Sequence, residues 1–232
     1  MKRAATIGSL AFLLTACTAK ENAPAADSAA APDSQAMNMG ADPDRAAGGG
    51  ALPAGYSART DKADAKISDA KYLASGDQWE VTTGPAHILY SPSVMGNGNY
   101  TAAGTIEQLE APAHPEAFGL FIGGRDLDAP AQTYTYFIVR GTGDVAIKVR
   151  EGDKTRDVVK WTPSKDVPKA DASGKATYAL AAQVTGDAVK FSVNGKEVAS
   201  VSKAGLPTDG IAGLRINHNL HVKASPVVVK TP

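Results

Sequence analysis

The run Gly213-Leu214-Arg215-Ile216-Asn217-His218-Asn219-Leu220-His221-Val222 concentrates hydrogen-bonding side chains among apolar ones. In an extended strand, alternate residues point to opposite faces. Leu214, Ile216, Leu220 and Val222 then share a core face, while Arg215, Asn217, Asn219 and His221 share the other. Donors and acceptors in one row suit a ligand rich in hydroxyls, such as a sugar. The same row also reads as the wet side of an antiparallel sheet, although such a side more often carries Lys, Glu, Thr and Ser. His218 falls on the core side, as a hydrogen-bonded buried or rim histidine. On this reading alanine at Arg215 or Asn217 changes stability by no more than about 0.5 kcal/mol.

A second row lies in Thr133–Arg140. Alternation puts Tyr134, Tyr136, Ile138 and Arg140 on one face and Thr135, Phe137 and Val139 on the other. Two tyrosines beside an arginine could stack on pyranose rings. Tyrosine is also common in strands and packs in cores, and Ile138 pulls this face inward. Trp79 and Trp161 read as core or rim anchors, or as one exposed sugar platform.

Other side chains offer less chemistry. Retaining glycosidases need two carboxylates about 5–5.5 Å apart. Glu107 and Glu110 are three positions apart and fall on opposite faces of a strand. Asp126 and Asp128 have the right spacing, but Gly123-Gly124 precedes them and Pro130 follows, which reads as a loop; a carboxylate pair, a calcium site and a solvated loop are its three readings. His218 and His221 cannot share a strand face, which argues against a two-histidine zinc site. Met37 and Met39 could join other soft ligands or belong to a solvated tether. No nucleophile elbow, phosphate loop or dinucleotide fingerprint is present. No cofactor, no metal and no catalytic residue is expected.

The elements that must position these residues are strands. From Trp79 onward, short runs rich in Val, Ile, Thr, Tyr and Phe alternate with turn residues. The turns Gly141-Thr142-Gly143, Glu151-Gly152-Asp153 and Gly186-Asp187 read as hairpins. Asn194-Gly195 is the strongest, because both residues accept the positive φ of a type I′ turn. Asp157–Trp161, Thr177–Thr185, Ala188–Val193, Lys196–Val201 and Gly210–Val222 read as strands. Such spacing without helical periodicity predicts an all-β, two-sheet antiparallel sandwich. Residues 79–232 form that domain. Residues 56–78 are either linker or a short helix. Residues 17–55, rich in Ala, Asp, Pro, Gly and Ser, lack apolar periodicity and read as a disordered tether.

The 232 residues suffice for one domain and a tail. Twenty-four Lys and Arg balance twenty-four Asp and Glu, which argues against a nucleic-acid binder that works through phosphate contacts. A single cysteine excludes a disulfide framework within one chain.

At the N-terminus, Lys2 and Arg3 precede the apolar stretch Ala4–Leu14, which is too short to span a bilayer. It ends in Leu14-Thr15-Ala16-Cys17. These seventeen residues resemble a bacterial lipoprotein signal, with residues 1–16 the signal peptide. The resemblance implies lipidation of Cys17, cleavage before it, and anchoring to a membrane. With Thr18 rather than Asp after the cysteine, it implies the outer membrane if the source is Gram-negative. An ordinary secretory signal with a chance cysteine is the other reading.

Three segments resemble the concanavalin A-like lectin/glucanase superfamily, including laminin-G-like and 3-keto-disaccharide hydrolase-like domains. They are residues 118–152, FSVNGKEV at 191–198, and DGIAGLRINHNLHVKA at 209–224. The resemblance implies a jelly roll whose concave face holds a ligand. The Glu-x-Asp-x-x-Glu strand of the superfamily's glucanases is absent. The leading expectation is a cell-envelope lipoprotein that binds carbohydrate or another envelope polymer. Two alternatives stand beside it. One is a glycan-processing enzyme acting on a disaccharide or glycoside, and the other is a structural or protein-interaction lipoprotein.

Overall fold

In the computed structural model, which describes residues 43–232, alternating apolar residues zip the chain into antiparallel strands. In chain order these are β1 (Ser57–Thr60), β2 (Lys71–Ser75), β3 (Gln78–Thr82), β4 (His87–Gly96) and β5 (Tyr100–Gln108), then β6 (Ala117–Arg125), β7 (Thr133–Arg140), β8 (Asp144–Glu151), β9 (Lys154–Pro163) and β10 (Ala176–Val184), and finally β11 (Ala188–Val193), β12 (Lys196–Ser202), β13 (Gly210–Ile216), β14 (His221–Ala224) and β15 (Val228–Lys230). One sheet runs β1-β4-β13-β6-β7-β8-β9; the other runs β12-β11-β10-β5-β14-β3-β2, with β15 also paired to β5. The molecule is therefore the all-β, two-sheet antiparallel sandwich that the strand pattern predicts.

The core lies between the sheets. Leu120, Phe137, Ile147 and Leu214 of the seven-stranded sheet meet Tyr100, Ile106, Leu180 and Phe191 of the other. Aromatic pairs cross the gap: Phe118 meets Tyr178, and Phe137 meets Phe191, each with ring centroids 5.1 Å apart. The Asn194-Gly195 hairpin forms with both residues at positive φ, 49° and 76°, closing β11 onto β12 at Val193 and Lys196. The seven-stranded sheet carries a second apolar cluster on its outer face, which includes Ile88, Tyr90, Phe121, Tyr134, Tyr136 and Ile138.

Three boundaries differ from the sequence reading. The stretch 56–78 holds no α-helix: it supplies β1, β2 and a single 3-10 turn at Ile67–Asp69. Sheet structure therefore begins before Trp79. Residues 43–55 pack on the sandwich, with the Ala47 amide donating to the Asp69 carbonyl at 2.8 Å and Leu52 against the core. Their tether-like composition hides this because several of the contacts run through main-chain groups, and the side chains that join them, Asp44 and Leu52, follow no periodic pattern. Finally, 210–222 is two strands in different sheets. The signal peptide, Cys17, Met37, Met39 and the tether up to residue 42 lie outside the described residues.

Candidate functional site

Arg215 reaches the outer face of the seven-stranded sheet because its neighbours Leu214 and Ile216 are both buried in the core. In register it stands between Ile88 of β4 and Gly119 of β6. Only 6% of the residue is exposed. Its Nη1 and Nη2 donate to the two carboxylate oxygens of Asp61 at 2.8 and 2.5 Å. Burial disfavours the guanidinium charge, but Asp61, Tyr134 and Tyr136 outweigh it and raise the pKa above its ordinary value. The guanidinium carbon lies 5.8 Å from the centroid of the Tyr136 ring.

β7 places Tyr134 and Tyr136 on the same face, as the alternation requires. Thr135 is fully buried, and Phe137 and Val139 face the core. Tyr134 packs 5.2 Å from Phe121 and 5.6 Å from Tyr136. Its phenol is pushed up to about 12, chiefly by desolvation, so it remains a neutral donor. The hydroxyls of Tyr90, Tyr134 and Tyr136 make no hydrogen bond among the described residues, and none is a buried orphan. Arg140, at the end of β7, stacks over Trp161 at 3.8 Å with its Nε buried and unpartnered. That contact occupies one face of the Trp161 ring. Trp79 belongs to β3 in the other sheet and packs edge-on against Tyr56 at 4.7 Å.

Beside Tyr134, across the β7–β8 ladder, stands Arg150. A cavity of about 470 Å³ opens there, lined by Arg59, Thr60, Asp61, Pro130, Gln132 and Arg150, with Ala63, Gly152 and Asp153 completing it. Arg59 donates through Nη1 to the carbonyls of Leu127 and Ala129, at 2.9 and 2.5 Å. Arg150 donates through Nε to the Gly152 carbonyl at 2.7 Å and through Nη2 to the Asp61 carbonyl at 3.4 Å. Sequence reasoning missed Arg59, Asp61 and Arg150. The first two sit in a stretch without clear alternation. Arg150 was within reach, since carrying the Tyr134–Tyr136 face through the hairpin places Lys148 and Arg150 beside them.

Asn217, Asn219 and His221 do not continue the Arg215 row. The single strand expected from Gly210 to Val222 ends at Ile216, and the chain then crosses between sheets. Asn219 adopts φ 51°, a left-handed conformation that Asn tolerates better than most residues. The Asn-rich text is thus corner chemistry. Asn219 accepts from the Arg45 amide at 2.9 Å and donates to the Pro43 carbonyl at 3.1 Å. Asn217 donates to Glu116 at 3.0 Å. His218 is half-buried and lies between Glu116, 2.9 Å from Nε2, and Asp44, 3.1 Å from Nδ1. His221, now in the eight-stranded sheet, pairs with Glu80 at 2.8 Å and lies 3.5 Å from Glu110.

The structure therefore brings together Arg215, Tyr134, Tyr136 and, further along β7, Arg140. It separates from them Asn217, Asn219 and His221. Asp126 and Asp128 are exposed in the loop after β6, with Asp126 at φ 50°. Among the described residues, no group of three or more His, Cys, Asp or Glu side chains is placed to hold a metal ion.

No protein-family model matches the chain, and no curated protein matches it in sequence. Solved structures do match in shape. The carbohydrate-binding module CBM66 from Bacillus subtilis superposes with a TM-score of 0.57 at 14% identity, over 76% of this chain and 96% of that one. A glycoside hydrolase family 16 endo-glucanase from Bacteroides ovatus gives 0.52 at 9% identity, over 75% and 94%. These likenesses establish the fold and agree with the concanavalin A-like resemblance of the three sequence segments.

Proposed function

We propose that this protein binds carbohydrate on the outer face of its seven-stranded sheet, anchored in the bacterial cell envelope through lipid on Cys17. Where the source is Gram-negative, the anchor lies in the outer membrane. The observation that carries the binding reading is the set of unpartnered tyrosine hydroxyls, at Tyr90, Tyr134 and Tyr136, beside arginines and a 470 Å³ cavity. A sugar presents hydroxyls that need donors and acceptors. The three tyrosines are only 2–7% exposed, with their rings packed in the apolar cluster, so a ligand meets their hydroxyl tips and not their ring faces. A neighbour in fold is a carbohydrate-binding module and another an endo-glucanase, which supports the same reading.

Hydrolysis is less well served. A glucanase-type mechanism needs two free carboxylates on this face. Of the carboxylates held on strands or bound to them, Asp61 is tied to Arg215, Asp157 is paired with Lys148 at 2.9 Å, and Asp144 accepts from Thr142 at 2.5 Å. Asp128 and Asp153 form no ion pair among the described residues, but both are exposed on loops rather than fixed on a strand.

A glycan array probed with the detergent-solubilised full chain tests the binding reading. Tyr134→Phe and Tyr136→Phe remove only an oxygen each and should leave the urea midpoint unchanged. Each should weaken binding by about 2- to 12-fold, the equivalent of one hydrogen bond worth about 0.5–1.5 kcal/mol. An array without a hit, or affinity indifferent to both substitutions, overturns the assignment.

A further inference from the structure

Arg59 and Arg150 line one cavity, and neither is neutralised by a carboxylate. Both are half-buried. Arg59 uses Nη1 on two main-chain carbonyls, which leaves its Nε and Nη2 hydrogens unspent. Arg150 uses Nε and one Nη2 hydrogen, also on carbonyls, which leaves Nη1 unspent. Carbonyls orient a guanidinium but supply no countercharge. The carboxylate within reach, Asp61, already gives both oxygens to Arg215. Asp153 is exposed at the tip of the β8–β9 turn and forms no ion pair among the described residues. Asp128, between the two carbonyls that Arg59 uses, is likewise exposed and forms no ion pair among the described residues. Arg59 and Arg150 are thus fixed in place with no carboxylate in contact.

A partly buried cation without a counterion is costly. A fork of unspent N–H donors matches a carboxylate or sulfate in two-point geometry. A neutral sugar would use the tyrosine hydroxyls but would leave these cations uncompensated. We propose that the ligand is an acidic glycan, whose carboxylate or sulfate groups are taken by Arg59 and Arg150 in the cavity beside Tyr134. The inference rests on the carbohydrate reading above and adds the charge class of the ligand.

The decisive comparison changes the ligand first. Titration calorimetry on the full chain in mild nonionic detergent would use tetragalacturonate and tetramannuronate, each beside its carboxyl-reduced neutral counterpart. A heparin-derived tetrasaccharide and its desulfated form separate sulfate from carboxylate. At least one acidic member should bind about 10-fold or more tighter than its neutral twin, as expected for hydrogen bonds to charged groups, and the difference should shrink as salt rises. Arg59→Gln and Arg150→Gln should each remove most of that preference, read as the ratio of acidic to neutral affinity in the same variant. Since both arginines also brace loops, Arg59→Lys and Arg150→Lys serve as companions that keep charge but lose the fork, with melting curves recorded for all four. Equal affinity for acidic and neutral twins, or an acid preference untouched by the substitutions in folded protein, overturns the acidic-ligand proposal and leaves carbohydrate binding standing. Binding to none of the six probes overturns the acidic-ligand proposal, and a hit on the wider array would then show that carbohydrate binding survives it.

Discussion

Arg215 shows how far a side chain's role depends on what meets it. Alternation correctly directs it away from the core, yet it is buried and bound at two points by Asp61, 154 positions away in the chain. Arg215→Ala would leave Asp61 without its partner. Breaking a fully buried pair costs about 3–5 kcal/mol; with 29% of the Asp61 side chain exposed, roughly 2 kcal/mol is expected here. Urea unfolding checks this, and a change below about 0.5 kcal/mol would restore the expectation from sequence that Arg215 is stability-neutral. His87 is the second informative residue. It is fully buried, with Nδ1 2.9 Å from the Pro85 carbonyl and Nε2 bonded to the Tyr72 hydroxyl. Desolvation lowers its pKa to about 4, against a raising contribution from the Pro85 carbonyl. The unfolded chain takes up this proton near pH 6.5 and the folded one only near 4. Stability from His87 is therefore complete above 6.5, declines as pH falls from 6.5 to 4, and reaches a loss of about 3 kcal/mol below that. His87→Gln should flatten the slope of the urea midpoint between pH 7.5 and 4.5; an unaltered slope would show that other groups set it.

At the scale of elements, register decides everything about a strand with two different faces. β13 turns Leu214 inward, where it is 1% exposed, whereas Leu73 of β2 is 46% exposed. Leu214→Ala should cost about 2–5 kcal/mol through the cavity it leaves. Leu73→Ala should stay within about 0.5 kcal/mol. The reverse order in melting experiments would mean that β13 is shifted by one residue, and the outer-face assignment of Arg215 would fall with it. The β7 and β11–β12 elements were legible because each is governed by local patterning: period-2 alternation for the first, Asn-Gly for the turn of the second. The end of β13 was not. Leu220 and Val222 continue the alternation of Leu214 and Ile216 across the corner at Asn219, so a broken strand and an unbroken one look alike in the text.

For the whole molecule, the proposed anchor and the sandwich make separable contributions. If Cys17 carries lipid, the wild type should partition into the detergent-rich phase on phase separation, and Cys17→Ala should move it to the aqueous phase. Mass spectrometry should find the mature chain starting at a modified Cys17. An unmodified terminus at any other residue would remove the lipoprotein assignment and leave the sugar-binding test unaffected, because the face in question belongs to residues 43–232.

What the sequence determined by itself was set by short-range physics. Alternation, turn residues and composition specify strands, hairpins, the all-β class and the tyrosine face of β7, since each depends on neighbours a few positions away. The tertiary structure decided which polar residues share a surface. Arg59 and Asp61 come from β1 and the residue after it, Arg150 from β8 and Arg215 from β13, and they meet because β1 and β13 both pair with β4, while β13 joins β8 through β6 and β7. Conversely, Asn217, Asn219 and His221 follow Arg215 directly in sequence and leave it in space, because one left-handed residue carries the chain to the other sheet. The meetings depend on pairing between strands distant in the chain, which no local pattern encodes.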